Sequence, residues 1–358
     1  MKQKNSAHYR RALPEDGVGM LELIESHSSG GALDTVYTRR ADAYRSYLAD
    51  CKDAEITLCV DEEGRIKAQM ACLPRRLYMG GEARTAGYLT GLCKRGDGFV
   101  NLPRLFHAAL DDSKIDLFFC SILDGNDGVF KMLDKKRAYM PELRVISEYT
   151  THLFSPKAIK RTTGHGFAFR RATENDSEAL LLHYREYGKH HDFFPEISAF
   201  SEFPGLDIEC FYLLLHRSGD IVAAGALWDQ RDFKQHIVKK YGGAYKTAAK
   251  FNFLLRLLRY PPLPKANAVA DFAYVGFFAV ERDEPALIRA FLGEMAAIAR
   301  SRCDTLCVGA TADSETGRVL QGIKSVHFGS KLCLFDFKKD GARPAPRKRP
   351  AYFECGLL

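Results

Sequence analysis

The sequence YRRA at residues 9–12 returns as FRRA at residues 169–172, and an aspartate follows each motif at the same distance. Both motifs lead into apolar residues at helical spacing. A second match follows in the same order, since the strand-turn-strand stretch 56–70 resembles 211–225, and each stretch turns at a glycine. Two similarities at nearly the same offset indicate an internal duplication. The sequence therefore predicts two copies of one α+β fold.

The length and composition fit two globular units. A single core rarely grows past roughly 250 to 300 residues, and the chain has 358 residues, of which 46% are hydrophobic and 27% are charged. We predict a first copy at 1–158, a second copy at 166–338 and a basic, proline-rich tail at 339–358. A polar, basic and glycine-containing connector at 155–166 joins the copies.

The charge and the termini exclude several protein classes. The net charge of +7 permits an anionic ligand, but a nucleic-acid reader usually carries a denser basic stripe, and the densest one here, 343–349, lies in the tail. No apolar stretch reaches the length of a membrane span, and the N-terminus lacks a signal peptide pattern. We expect a soluble cytoplasmic protein.

The ten cysteines form no C-x-x-C pair. Most of them lie inside apolar, strand-like runs, which favours buried, reduced thiols over a disulfide framework. Cys303 and Cys307 have C-x-x-x-C spacing, which without a second cluster is weak support for zinc. We predict no metal site.

The apolar pattern of the first copy predicts helix, β-meander, strand, glycine turn, helix, strand, helix and strand. Pro103 is compatible with the first turn of the helix that follows the glycine turn. The predicted helices are 16–26, 41–49, one from 102 onward and 127–135, and the predicted strands are 56–60, 67–73, 83–93, 116–123 and 145–154.

The second copy repeats this order and adds a helical insertion at 231–260. Its apolar residues Phe251, Leu254, Leu255 and Leu258 share one helix face, and lysines and arginines lie between them. Such a helix can bind a membrane or an acidic partner. We favour the other interpretation, an insertion packed on its own domain or over a cleft.

The glycine turn Arg95-Gly96-Asp97-Gly98 occurs in the first copy alone. A strand that enters such a turn ahead of a helix exposes backbone N–H groups at the positive end of the helix dipole, which is an anion site. The glycines remove side chains that would keep a phosphate away. A purely structural turn explains the pattern equally well on its own. The spacing matches neither a Walker loop nor a Rossmann motif.

Each copy resembles one domain of the GNAT acetyltransferase superfamily, and the resemblance covers nearly the whole chain in tandem. The acyl-CoA signature of that family, Q/R-x-x-G-x-G/A, is matched at Arg95 and Gly98 and departs at Val100. The resemblance implies acetyl-CoA or another acyl-CoA as co-substrate. It implies these cofactor-binding residues: Leu92, Cys93, Arg95, Gly96, Asp97, Gly98, Phe99, Val100 and Asn126. Asn126 is equally explained as a helix cap.

The resemblance also implies acyl transfer to the amine of a small molecule or peptide. The reaction needs an oxyanion-binding backbone N–H, which we expect along 91–93, and an acid for the departing thiolate. The family often uses a tyrosine seven residues after the asparagine, where this chain has Leu133. Tyr139 is the nearest alternative, although packing beside the next residues also explains it. Glu82 and Tyr88 are candidate bases or relays.

The second copy is predicted to keep the fold and lose the site. Its equivalent of the glycine turn is Glu281-Arg282-Asp283-Glu284-Pro285, whose carboxylates would repel a pyrophosphate. The cluster His190-His191-Asp192 offers ligand-like side chains, but adjacent residues point in different directions on a strand or helix.

Three functions remain open. The first is a tandem N-acyltransferase with the acyl-CoA in the first copy. The second is a sensor or scaffold that binds acyl-CoA without turnover, which the missing tyrosine favours. The third is a transferase of similar tandem fold that uses an aminoacyl-tRNA donor. The acceptor, the acyl length and the oligomeric state have no signature in the sequence.

Overall fold

The computed structural model describes residues 7–96, 100–111, 113–133, 141–162, 164, 166–336 and 349–358. The centre of the glycine turn, 97–99, and Tyr139 lie outside these ranges. The element order agrees with the predicted pattern, with two additional strands in the first copy at 8–11 and 33–38. The first copy contains these elements: β1 (His8–Arg11), α1 (Gly17–Glu25), β2 (Leu33–Thr38), α2 (Ala43–Asp50), β3 (Glu55–Val60), β4 (Ile66–Met79), β5 (Glu82–Lys94), α3 (Leu102–Leu110), β6 (Phe118–Leu123), α4 (Asp127–Leu133) and β7 (Glu142–Phe154).

The second copy repeats the order with additions between its third and fourth main strands. Its elements are β8 (Phe167–Arg171), α5 (Ser177–His190), β9 (Phe211–His216), β10 (Ile221–Trp228), β11 (Gln235–Tyr241), α6 (Gly243–Lys250), α7 (Asn252–Leu257), β12 (Phe272–Val280), α8 (Pro285–Ala299), β13 (Thr305–Thr311), α9 (Glu315–Gln321) and β14 (Val326–Asp336).

The repeated motif makes the same contact in both copies. The Arg10 guanidinium donates two hydrogen bonds, of 2.6 and 2.8 Å, to the Asp16 carboxylate. Arg170 and Asp176 form the same bidentate pair at 2.7 and 2.6 Å. Each aspartate also accepts a backbone N–H three residues upstream, which fixes the turn that starts the first helix.

Twelve strands form one sheet in the order β1-β3-β4-β5-β6-β14-β7-β13-β12-β10-β9-β8. The two halves of this order mirror each other, as the duplication requires. Most neighbours are antiparallel, whereas the pairs β5–β6 and β12–β13 are parallel. Helices cover both faces, with α1 and α2 opposite α3 in the first copy and α5 opposite α8 in the second.

The two copies exchange their last strands. β14, from the second copy, lies between β6 and β7 and pairs with β7 along its whole length, from Val326 to Asp336. β7 in turn pairs with β13 of the second copy. The predicted boundary therefore divides the sequence into two copies but does not divide the sheet, in which strands of both copies alternate at the centre.

The insertion and the tail differ from their predicted form. The first part of the insertion is the strand β11, which pairs with β2 of the first copy in a second, two-stranded sheet. The helical part is broken between α6 and α7. The end of the tail, 349–358, is packed into the fold, and Ala351, Phe353 and Glu354 are buried. We call residues 349–358 the tail segment.

The cysteines are reduced, as predicted, and eight of the ten are buried. Cys210 lies just before β9 and is partly exposed. In the described ranges, no helix is long and apolar enough to cross a membrane.

The strand exchange predicts that the first copy alone does not form a stable monomer. A fragment of residues 1–158 would lack β14, which leaves β6 and β7 with unpaired edges. We expect an aggregated or largely unfolded fragment by size-exclusion chromatography and far-ultraviolet circular dichroism.

The matched experiment co-expresses residues 1–158 with residues 159–358. Recovery of a soluble complex of the two fragments would support the exchange. A stable, monomeric first fragment would contradict it.

Candidate functional site

A gap opens between β5 and β6 at the centre of the first copy. These parallel strands pair only at Gly87–Phe118 and Tyr88–Phe119 and then diverge. Gly87 permits the close approach, because a Cβ there would lie 2.6 Å from the Phe118 ring. Beyond Tyr88, β5 continues without β6 as a partner to Lys94, next to the glycine turn.

A β-bulge in β5 faces this region. Gly91 and Leu92 together oppose the single residue Met70 of β4. Gly91 has a φ of +63°, which favours glycine. A Cβ at this position would lie 2.0 Å from the Tyr47 hydroxyl oxygen. The bulge thus needs glycine for its backbone angle and for the fit of Tyr47, and it turns backbone N–H groups out of the regular ladder.

The second copy has the same bulge in β12. Phe277 and Phe278 together oppose Gly225 of β10, and Phe277 has a φ of +51°. The β12–β13 pairing likewise ends after Tyr274–Cys307. Sequence analysis did not detect this correspondence, because glycine stands at the bulge in one copy and phenylalanine in the other.

The tail segment occupies the second copy's bulge. The Phe277 N–H donates to the Glu354 carboxylate at 2.5 Å, and the Phe278 N–H donates to the Tyr352 hydroxyl at 2.9 Å. The Tyr352 hydroxyl donates to Glu354 at 2.7 Å. Burial raises the pKa of Glu354, while Tyr352 and the two backbone N–H groups of Phe277 and Gly356 counteract this. A carboxylate is therefore held at a bulge of the same geometry as the one in the first copy.

The described residues of the glycine turn have mixed surroundings. The Arg95 Nε donates to the Ile66 carbonyl at 3.0 Å, and its guanidinium lies 3.8 Å from Glu22. A Cβ at Gly96 would meet no atom within 4 Å. Val100 packs against the core under α3. At Gly96 the backbone of the turn is thus accessible, and the neighbouring Arg95 already contacts Ile66 and Glu22.

The helix that follows the turn has the predicted start. α3 begins at Leu102 with Pro103 in its first turn, and the Asn101 side chain accepts the Arg104 N–H. Leu102, Leu105, Phe106 and Leu110 are all buried. The N-terminal N–H groups of α3 therefore lie just beyond the turn, where a helix dipole favours an anion.

The other predicted cofactor residues lie on both sides of the sheet. Leu92 packs toward α3. Cys93 packs toward α1 and α2, and burial raises the pKa of its thiol to about 12. Asn126 precedes α4, and its backbone carbonyl accepts hydrogen bonds from Val129 and Phe130. This position agrees with a helix start and leaves its cofactor contact a prediction.

Glu82 and Tyr88, the candidate bases or relays, lie far from each other and from the turn within the described part of the chain. Glu82 is exposed on the surface beside Arg84, at the opposite end of β5 from the turn, which is roughly 40 Å away at 3.3 Å per residue. Tyr88 is buried against Phe119, and burial raises the pKa of its phenol. Leu133 is a core residue. The hypothesis that Glu82 acts as base or relay in this gap is therefore not supported.

A buried charged cluster, which sequence analysis missed, connects the copies beside the bulge. The Asp50 carboxylate contacts the Arg39 guanidinium at 2.9 Å, Arg75 at 2.8 Å and the Lys234 ammonium at 3.0 Å. Arg39 also lies over the Tyr47 ring at 3.8 Å. Lys234 comes from the insertion of the second copy, and the other members come from the first. No spacing rule links these residues, because their proximity depends on the tertiary fold.

The cluster carries more positive than negative charge. Burial alone would raise the pKa of Asp50, but Lys234, Arg75 and Arg39 outweigh it and hold the pKa well below its usual value. Burial lowers the pKa of Lys234 to about 8, although Asp50 counteracts this. The Nε atoms of Arg39 and Arg75 are buried with no hydrogen-bond partner among the described residues.

The acidic turn of the second copy is part of a structural network. The Asp283 carboxylate accepts a hydrogen bond from the Tyr187 hydroxyl at 2.9 Å and contacts His191 Nε2 at 2.8 Å. The His191 ring stacks on Tyr187. Asp192 accepts the Gly80 N–H instead. His191 and Asp192 therefore contact different partners, as expected for adjacent residues whose side chains point in different directions.

A cavity of about 670 Å³ lies away from both bulges. It is lined by the connector, α7, α8 and α9. It is therefore distinct from the gap between β5 and β6.

No protein-family model matches the sequence, and no curated protein matches it. Solved structures do resemble the fold. The N-myristoyltransferase of Saccharomyces cerevisiae, with bound myristoyl-CoA and inhibitors, matches with a TM-score of 0.59 and 10% identity over 100% of this chain and 88% of that one. A GCN5-related N-acetyltransferase from Sphaerobacter thermophilus matches with a TM-score of 0.53 and 13% identity over 97% of each chain.

A third structure is the GCN5-related glucosamine N-acetyltransferase region of a fungal multi-domain β-N-acetylglucosaminidase. It matches with a TM-score of 0.58 and 13% identity over 93% of this chain and 38% of that one. At such identities the likeness concerns the fold. The chain has the GNAT fold in tandem, which confirms the predicted α+β architecture.

The charged cluster predicts a large effect of one isosteric substitution. Asp50→Asn leaves three buried cations without their carboxylate, and we expect it to lower the free energy of unfolding by about 3–5 kcal/mol in urea denaturation. Asp53→Asn, at an exposed position on the loop that follows α2, is the control and should change it by less than about 0.5 kcal/mol.

The difference between wild type and Asp50→Asn should depend on pH. The folded-state pKa of Asp50 is lowered from 3.8, so its stabilisation is fully present above that value and is lost as the pH falls toward the folded-state pKa. Equal unfolding midpoints for wild type and Asp50→Asn at neutral pH would contradict the role of the cluster.

Proposed function

We propose that the chain is an acyl-CoA-dependent N-acyltransferase, with the acyl-CoA bound in the first copy between β5 and β6. The acyltransferase fold of the solved relatives supports this activity class. The glycine turn and the N-terminus of α3 would hold the phosphates, and the pantetheine arm would follow β5 through the gap toward the bulge.

The contact between Phe277 and Glu354 carries this proposal. It demonstrates, within the same molecule, that a bulge of this geometry directs a backbone N–H at an anionic oxygen. In the first copy the equivalent residue is Gly91. A thioester carbonyl placed there would develop negative charge during acyl transfer, and a preorganised N–H group would stabilise it.

The occupied bulge also assigns different roles to the copies. The second copy's bulge is filled by Glu354 and Tyr352, and its turn carries carboxylates in place of glycines. We therefore assign the cofactor to the first copy, and we assign to the second copy a part of the wall around the acceptor. β11 and Lys234 reach the first copy from the insertion and support this arrangement.

The acceptor is an amine in this proposal, and its proton must leave before or during attack. Tyr47 is the hydroxyl nearest to the bulge among the contacts described above, and burial raises the pKa of its phenol to about 12. A phenol with this pKa suits proton donation to the departing thiolate better than proton abstraction.

The second function, a binder without turnover, is favoured by Leu133 at the position of the family's tyrosine.

Cofactor binding is testable by thermal shift with acetyl-CoA and longer acyl-CoAs. Arg95→Ala removes a charge beside the turn, and Gly96→Glu places a carboxylate in open space where the phosphates would lie. We expect each to weaken binding about tenfold or more, as for loss of a hydrogen bond to a charged group. Arg282→Ala, at the equivalent turn of the second copy and largely exposed, is the matched control and should bind like wild type.

An unshifted melting temperature with every acyl-CoA would contradict both cofactor-based functions. An equal loss of binding in Arg282→Ala would contradict the assignment to the first copy.

Turnover is testable by release of free CoA in the presence of amine acceptors. We expect acceptor-dependent thiol release above the background of an acceptor-free reaction, with small amines, amino sugars and peptides as the panel. Tyr47→Phe should bind acyl-CoA normally and release thiol more slowly. Binding without release for the whole panel would identify the chain as an acyl-CoA sensor.

A further inference from the structure

The insertion exposes a dense group of large apolar side chains. Phe253 is 65% exposed and Leu257 is 76% exposed, and three neighbours on α7 and its ends, Phe251, Leu254 and Leu258, are also exposed. The sequence pattern favoured burial of this face. Scattered apolar residues on a surface are ordinary, but five within eight consecutive positions form a patch.

The patch is held in place by specific contacts. The Asn252 side-chain amide donates to the Leu263 carbonyl and its oxygen accepts the Leu263 N–H, both at 2.8 Å. Leu263 is buried. The Tyr241 hydroxyl donates to the Pro264 carbonyl at 2.7 Å. The contacts of Leu263 and Pro264 thus hold α7 in a defined position, and its exposed face is part of the ordered fold.

The chain segment that carries the patch has charges of one sign, although Asp304 from outside this segment reaches Arg256. No acidic residue occurs between Asp232 and Asp271, whereas eight lysines and arginines do. Lys246, Lys250 and Arg259 are exposed, and Arg256 is paired with Asp304. An exposed apolar face within a positive field is the pattern of a surface that binds anionic interfaces.

The cavity of about 670 Å³ adjoins this patch. Leu257, Leu258 and Arg259 belong to both. The cavity combines an apolar wall with five cations, which are Lys160, Arg259, Arg289, Arg318 and Lys324. No acidic side chain of the described residues lines it. Arg318 pairs with Glu315, and the described ion pairs do not include the other four.

We propose that the exposed face of α7 and the adjoining basic cavity form one docking surface for an anionic lipid bilayer. The apolar side chains enter the interfacial layer, the surrounding cations contact lipid phosphates, and the cavity accepts a single headgroup. Apolar burial and electrostatic attraction act together in such binding. The surface is independent of the proposed acyl-CoA site, which lies in the other copy.

The bilayer fits these observations better than an acidic protein. A protein groove would need a complementary pocket for each side chain, whereas a bilayer interface accepts an exposed apolar face of any pattern. The cavity also suits a phosphate on an apolar stem, because both cations and aliphatic side chains line it.

Co-sedimentation of the full chain with vesicles tests the proposal. Vesicles of phosphatidylcholine alone are compared with vesicles of phosphatidylcholine and phosphatidylglycerol. We expect binding to the anionic vesicles that weakens as salt rises, because salt screens exposed charges. Phe253→Ser/Leu257→Ser and Lys160→Glu/Arg259→Glu should each lower vesicle binding by roughly tenfold or more.

The matched control is Val18→Ser/Leu182→Ser. It removes two apolar side chains that are 63% and 53% exposed elsewhere on the surface, and it should bind vesicles like wild type. Because all of these positions are exposed, unchanged melting temperatures verify the fold. Glycerol 3-phosphate, added in excess, represents a free phosphate and should not displace the protein from the vesicles.

Each other outcome overturns the proposal. Equal binding to neutral and anionic vesicles would show that the cations do not contribute to binding. An equal loss in the control variant would show that the patch is not specific. Displacement by glycerol 3-phosphate would reduce the cavity to a site for small anions. Absence of vesicle binding would leave an acidic protein as the partner of this surface.

Discussion

The pairing of β7 with β14 joins the two copies into one continuous sheet. These strands lie side by side at the centre of the sheet, and each is the neighbour of the other copy's penultimate strand. The central ladder is buried at Tyr149 and Leu332, whereas Val145 and Phe328 on the same two strands are exposed. The divergence of β5 from β6 is possible because β14 supplies β6 with a full antiparallel partner on its other edge.

The electrostatics follow from this arrangement. Where the copies meet beside the bulge of β5, a single carboxylate faces three cations from both copies. Burying charge is expensive unless it is paired, and the surplus of positive charge here indicates a site with capacity for an additional anionic group. The tail segment supplies one such group nearby, since Lys234 contributes to the environment of Glu354.

Local patterns in the sequence predicted most of the elements and little of the site. The helices and strands of the first copy were found because hydrophobic period and turn residues are local signals, and α3 was located from Pro103 and its apolar spacing. β2 and β11 were missed because each is short and gains its partner from the other copy. Arg95, Gly96 and Val100 lie between β5 and α3, and their role at a cofactor stays a prediction. Asp50 and Lys234 meet only after the chain has folded. The tail segment was misjudged because its composition resembles a linker, although its last ten residues carry Phe353 and Leu357 into the core.

The exchange of strands also determines when the sheet of the first copy can form during synthesis. The first copy contributes most of its residues early, but its sheet lacks a strand until residues 326–336 have left the ribosome. Contacts that join such distant parts of a chain are slow to form. The nascent first copy therefore exposes the edges of β6 and β7 throughout translation of the second copy. Unpaired strand edges promote association with other chains, so this interval is when the topology leaves the protein most open to aggregation.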